Sequence, residues 1–167
     1  AARHPRETSA RALDACELIA GGWFGPNNKK NDQHEPHFDG GQVQMIPEVK
    51  AALDVFSAAG LMAAGQDFEL GGMQLPCVVE KAGFAYFKAA NVGTSSYPFL
   101  TIGNANTLLK CGTPEQIKTF VEQMLEGRFF GTMALSEPQA GSGVSDSVPV
   151  RRPPAGGRHR TTATTQW

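Results

Sequence analysis

A mainly α-helical fold that passes from helices to sheet near its C-terminal end is the fold class this sequence predicts. Apolar residues recur at helical spacing in successive segments up to Gly127, and proline and glycine stand where those segments open and close. After Gly127 the pattern changes to a strand-like run. Residues 1–128 therefore read as helical, 129–146 as the start of a sheet region, and 147–167 as an atypical tail.

Leu13, Cys16 and Ile19 or Ala20 lie at helical spacing between Pro5 and Gly21-Gly22, which predicts a first helix over Thr8 to Ala20. From Gly25 to Gln44 the chain is polar and rich in turn formers (Asn27, Asn28, Asp32, Pro36, Gly40, Gly41), so it reads as a loop. Pro47 stands at a natural first helical position, Val49, Leu53 and Phe56 form an apolar stripe, and Gly60 is placed to close that helix in a left-handed cap. Pro76 opens a third helix. Its Val79, Ala82, Gly83, Tyr86 and Phe87 crowd one side, where the small residues admit a close neighbour. A fourth helix is expected over Phe99 to Lys110. Thr113, Pro114 and Gln116 form a capping-box pattern ahead of Ile117, Phe120, Val121 and Leu125, with Gly127 as the stop. Arg128 to Ser136 then reads as a strand, and no internal repeat is visible.

At 167 residues and 41% apolar content, the chain is long enough for one packed domain. Its formal net charge of -1 gives no broad attraction to nucleic acid or to an anionic membrane, and neither is expected as a partner. Cys16, Cys77 and Cys111 are odd in number and far apart, which suits reduced thiols better than a disulfide framework or a zinc cluster. No apolar run approaches the roughly 20 residues of a membrane helix. Ala1 is followed by no signal-peptide core, so the chain is read as cytoplasmic. The missing initiator methionine and the immediate helical pattern suggest that leading residues are absent or were removed.

The segment Met133-Ala134-Leu135-Ser136-Glu137-Pro138-Gln139-Ala140-Gly141-Ser142 joins an apolar run to a small-residue turn. Pro138 cannot continue a strand ladder, and Gly141 lets the backbone approach a bulky planar or phosphorylated ligand. Ser136 and Ser142 offer hydroxyls from the same turn. On these residues alone, the segment is either an ordinary surface connection or a cofactor cradle.

Ser136-Glu137-Pro138-Gln139-Ala140-Gly141-Ser142 closely resembles the Thr-Glu-Pro-x-Ala-Gly-Ser-Asp signature of the acyl-CoA dehydrogenase family. Two upstream segments fall in the family's order. Gly71-Gly72-Met73-Gln74-Leu75-Pro76 is similar to its Gly-Gly-x-Gly-Leu-Pro turn, and Gly112-Thr113-Pro114-Glu115-Gln116 to its Gly-Thr-x-Glu-Gln helix start. The resemblance spans Ala10 to Asp146. His37-Phe38-Asp39-Gly40-Gly41 also looks like a branch of the family that handles less common acyl thioesters. Ser136 replaces the usual Thr and keeps the hydroxyl, whereas Gly143 stands where Asp is expected.

The resemblance implies an FAD-dependent oxidoreductase of fatty acid metabolism that dehydrogenates an acyl-CoA thioester between its α and β carbons. In such enzymes a helical N-terminal domain leads into a β-domain, and the flavin lies between that β-domain and a C-terminal helical domain. By carry-over, Met133, Leu135 and Ser136 contact the flavin ring, with Ser136 near its reactive edge. Gly141 and Ser142 approach the pyrophosphate or the CoA thioester moiety, which makes Ser142 a substrate contact as well. A hydroxyl or amide aimed at the flavin N5/O4 edge stabilises the charge that develops as the ring accepts hydride. The family takes its base from a Glu of the C-terminal helical domain, beyond this chain, so no catalytic residue is assigned here and the chain reads as an N-terminal fragment inactive alone. The implied partners are an acyl-CoA substrate, an electron-transferring flavoprotein and further copies in a homo-oligomer. Two other readings stay open at this point: a non-catalytic helical assembly module, and a flavin monooxygenase of the same fold.

The remaining candidates are weaker. From Ser147 onward Pro, Arg, Gly and Thr dominate where the family continues through alternating strands; no sheet is expected there, and the tail reads as disordered or as the product of a shifted reading frame. Arg151, Arg152, Arg158 and Arg160 lack the aromatic interleaving of a nucleic-acid surface. His34, Glu35, His37 and Asp39 carry ligand atoms but sit in one loop without a second cluster, and no metal site is assigned. Glu69, Glu80, Glu115, Glu122 and Glu126 suit exposed helix faces, and Glu137 is given a structural role at the strand end. Tyr97, Phe99 and Leu100 either line an acyl pocket or fill the core, and core packing is preferred.

Overall fold

A computed structural model of the chain describes residues 5–134, 141–143, 150–152 and 160–162. Two compact units divide it, Ala1–Thr132 and Met133–Trp167.

The first unit is helical. α1 (Arg6–Ile19) continues through a π-helical turn, Ala20–Phe24, and a 3-10 turn, Gly25–Asn27, into α2 (Asn28–Gln33). β1 (His37–Asp39) and β2 (Gln42–Gln44) then form an antiparallel hairpin with Phe38 opposite Val43. The stretch read as a loop therefore holds a short helix and a hairpin. Every residue of both strands is exposed, so there was no inward-facing apolar alternation to announce them.

α3 (Pro47–Ala58) starts at the expected proline, and Gly60 follows it at φ 71°. α4 (Cys77–Ala90) opens after Pro76 as expected. Ahead of it, the Gly71–Pro76 turn folds back on residues 64–67. Gly72 lies so close to that backbone that a Cβ on it would meet the Gln66 carbonyl oxygen at 2.0 Å, and only glycine fits. The Leu75 amide donates to the Ala64 carbonyl at 2.9 Å, seating the buried Leu75 side chain.

α5 (Val92–Cys111) begins well before the expected Phe99, with Pro98 inside it. Proline opens helices more readily than it sits within them, which is why the sequence points to a later start. The true start is set by Asn91, whose side chain accepts the Thr94 amide at 2.9 Å and donates to the Phe24 carbonyl at 3.3 Å. α6 (Pro114–Gln116), a π-helical stretch (Ile117–Val121) and α7 (Glu122–Leu125) run on as one helical segment. Its capping box is complete: Thr113 Oγ1 accepts the Gln116 amide at 3.2 Å, and Gln116 Oε1 accepts the Thr113 amide at 2.9 Å.

The core sits where α1, the π-turn, α3 and α4 meet. Phe24 and Phe56 both stack edge-on against Phe87, with ring centroids 4.9 and 4.8 Å away, and Cys16, Ala20, Ala52 and Met62 close around them. Such pairs add about 0.5–1.5 kcal/mol each beyond the area they bury. Ala63, Ala105, Val121 and Leu125 form a second cluster between α5 and the last helical segment, and Ile46, Val49 and Leu53 a third beside Tyr97. Among the described residues, no helix is long and apolar enough to cross a membrane.

The strand expected over Arg128 to Ser136 is not formed in its described part, residues 128–134. In the second unit, β3 (Val150–Arg152) pairs antiparallel with β4 (Arg160–Thr162), Arg151 opposite Thr161. A sheet was not expected in this tail, yet Val150, Thr161 and Thr162 are β-branched and carry the strand preference that the surrounding Pro, Gly and Arg obscure.

Candidate functional site

The signature is reached through a strap, residues 127–132, whose first residues bond back to the preceding helical segment, the Gly127 amide to the Met124 carbonyl and the Arg128 and Phe129 amides to the Gln123 carbonyl, and whose last two bond to α5. The Gly131 amide donates to Thr101 Oγ1 at 3.0 Å, while the same hydroxyl donates to the Tyr97 carbonyl at 2.7 Å. Asn104 Nδ2 donates to the Thr132 carbonyl at 3.1 Å and to the Leu100 carbonyl at 3.0 Å. The fit is close enough that a Cβ on Gly131 would lie 2.7 Å from the Asn104 side chain. Phe130 meets Tyr97 edge-on, centroids 6.1 Å apart. Asn104 and Thr101 thus satisfy the backbone groups that a ladder partner would otherwise take.

Of the five residues assigned to the cofactor, Met133, Gly141 and Ser142 are described and Leu135 and Ser136 lie outside the described residues. Met133 is half exposed, Ser142 is exposed, and a Cβ on Gly141 would meet nothing within 4 Å. The Cβ side of Gly141 is therefore unobstructed.

Beside the strap a cavity of about 930 Å³ is walled by Met45, Ile46, Val49, Leu53, Tyr97 and Phe130. Its charged members are already paired, Lys50 with Asp54 at 2.6 Å and Glu126 with Arg128. Tyr97 does both things considered for it, lining this cavity while packing partly buried against the Ile46, Val49 and Leu53 cluster. Phe99 is outside the core, half exposed beneath the Lys88 ammonium, which stands 4.4 Å from its ring centre. α5 buries Thr94, Ser95, Pro98, Thr101 and Ala105 instead.

The other candidates are scattered. Among the described residues no three His, Cys, Asp or Glu side chains are grouped to hold a metal ion, and His34 Nδ1 lies 3.0 Å from the Lys30 carbonyl of its own helix. Lys30 instead pairs with Glu48, at the start of α3, and its hydrogen bond and charge hold that carboxyl below the usual range. Burial pushes the Cys16 thiol up, while Cys77 and Cys111 are exposed and free. Glu69, Glu115, Glu122 and Glu126 are exposed as expected, whereas Glu80 is partly buried against Lys81.

Sequence reasoning missed Thr101 and Asn104. Their only signal is a hydroxyl and an amide three residues apart on one face of a helix whose buried side is unusually polar.

No protein-family model matches the chain. It is 31% identical over 134 residues to the 3-methylmercaptopropionyl-CoA dehydrogenase of Ruegeria pomeroyi, a match covering 80% of this chain and 23% of that protein. It is 34% identical over 123 residues to the butyryl-CoA dehydrogenase of Syntrophomonas wolfei, covering 71% of this chain and 20% of that one. The chain thus spans between a fifth and a quarter of the length of these relatives. In fold it is similar to an acyl-CoA dehydrogenase complexed with FAD from Bacillus anthracis, with a TM-score of 0.78 at 22% identity over 98% of this chain and 26% of that chain.

Proposed function

Taking as premise that this chain belongs to the acyl-CoA dehydrogenase family, we propose that it supplies one wall of the flavin site of an FAD-dependent acyl-CoA dehydrogenase. The observation that carries this reading is the signature at residues 136–142, reached through a strap whose last two residues, Gly131 and Thr132, are held by α5. The donor set suits a flavin nucleotide. Met133 offers a half-exposed apolar side chain for the ring, Ser136 and Ser142 bring hydroxyls, and Gly141 puts no side chain in the way of a phosphate or thioester group.

When bound, FAD supplies the two-electron acceptor for α,β-dehydrogenation of the thioester. The chain's own share is binding and orientation. Met133, Leu135 and Ser136 would hold the flavin ring, the Ser136 hydroxyl serving its electron-accepting edge, and Gly141 and Ser142 would take the pyrophosphate or the CoA thioester moiety. Proton removal from the α carbon and hydride departure from the β carbon require strict mutual placement of base, thioester and ring. No residue of this chain is assigned as that base. Acyl-CoA as substrate, an electron-transferring flavoprotein as oxidant and assembly into a homo-oligomer follow from the same reading.

Titrating the purified chain with FAD, read by quenching of flavin fluorescence, tests it. Weak but saturable binding, weakened by Ser136→Ala and Ser142→Ala and unaccompanied by bleaching with any acyl-CoA, is expected. A flat titration overturns the proposal.

A further inference from the structure

Resting on that reading, we propose that Thr101 and Asn104 are positioning residues, fixing the backbone from which the flavin-contacting segment departs. Both lie on α5, outside the signature, and reach consecutive residues of the strap: Thr101 Oγ1 takes the Gly131 amide at 3.0 Å and Asn104 Nδ2 gives to the Thr132 carbonyl at 3.1 Å. Met133, the first residue assigned to the ring, follows directly.

Neither side chain is spent only on its own helix. Hydroxyls and amides commonly bond back to a carbonyl four residues earlier, and both do so here, Thr101 to Tyr97 and Asn104 to Leu100. Thr107 makes the same back-bond, to Gly103 at 2.9 Å, but holds nothing beyond the helix. Thr101 uses its remaining lone pair, and Asn104 its second amide hydrogen, on the strap. Thr101 is 1% exposed, so removing its hydroxyl leaves the Gly131 amide without that partner in a place water reaches poorly. At Gly131 the backbone comes within contact of Asn104 itself, which fixes the approach as well as the hydrogen bonds.

A flavin contact must be held to within about 0.5 Å to be productive, and such precision comes from supporting hydrogen bonds on rigid elements. α5 is the longest helix of the chain's described part and is capped at Asn91, which suits it to that task.

The test uses the full chain. Amide hydrogen exchange over residues 128–134 and FAD affinity are measured for the wild type, Thr101→Val, Thr101→Ser and Thr107→Val. Thr101→Val keeps the shape and deletes the hydroxyl; it is expected to speed exchange in the strap and to weaken FAD about tenfold. Thr101→Ser restores both, and Thr107→Val changes neither. Equal FAD affinity in Thr101→Val and wild type overturns the positioning role, and unchanged exchange overturns the anchor. Faster exchange in Thr101→Val with no saturable FAD binding by the wild type overturns the flavin reading beneath the role.

Discussion

Gly83 of α4 lies so close to Cys16 of α1 that a Cβ built on it would stand 2.8 Å from the Cys16 sulfur. Cys16 is buried, so the two helices meet with no room for a side chain between them. Gly83→Val is therefore expected to cost about 1–3 kcal/mol, the usual penalty for overpacking. Thermal unfolding checks it. Adding Cys16→Ala should recover part of the loss, whereas no recovery would place the strain elsewhere.

Asn91 is 1% exposed and works twice, capping α5 and satisfying the Phe24 carbonyl of the π-turn. Asn91→Ala removes a cap and the side-chain bond that ties it to the Phe24 carbonyl at the edge of the aromatic cluster. A loss of about 2–3 kcal/mol in denaturant unfolding is expected. Asn91→Asp keeps the cap acceptor but sets a buried carboxylate oxygen against the Phe24 carbonyl, so it should not recover that loss.

The ion pair between Lys30 and Glu48 ties α2 to the first turn of α3, and Lys30 holds the Glu48 carboxyl below its ordinary value. A group whose folded value is depressed contributes stability that is present above its unfolded value and fades as pH falls through the folded one. Stability should therefore decline on acidification below the ordinary carboxylate range. Lys30→Met should move the Glu48 titration upward and flatten that part of the pH profile, as carboxyl NMR shifts would report.

Thiol chemistry should separate the cysteines. Cys77 and Cys111 are exposed, while Cys16 is buried with its thiol pushed up. With a disulfide reagent at neutral pH, two thiols are expected to react quickly and the third only on unfolding. Three fast thiols would contradict the packing of α1 on α4.

Much of the helical unit was legible because its signals are local. Pro47, Pro76 and the Thr113–Gln116 box mark helix starts by chemistry that operates within one turn, and each is found where it was expected. The start of α5 was misplaced because the residue that sets it, Asn91, earns its position from Phe24, 67 residues away. The hairpin at residues 37–44 was invisible for the opposite reason, since no face of it is buried. At the candidate site the signature could be recognised as a string of residue types, but its supports could not. Thr101 and Asn104 act through side chains that meet the strap only once α5 and residues 127–132 are folded together.

The central claim is that residues up to the signature form the N-terminal part of a flavin-dependent acyl-CoA dehydrogenase. The most direct test grafts residues 1–142 in place of the matching segment of the 31% identical Ruegeria pomeroyi relative and follows the visible spectrum of the purified chimera. The account predicts bound flavin whose absorbance bleaches when an acyl-CoA is added anaerobically. A folded chimera that holds no flavin, or holds flavin that no acyl-CoA reduces, would contradict it.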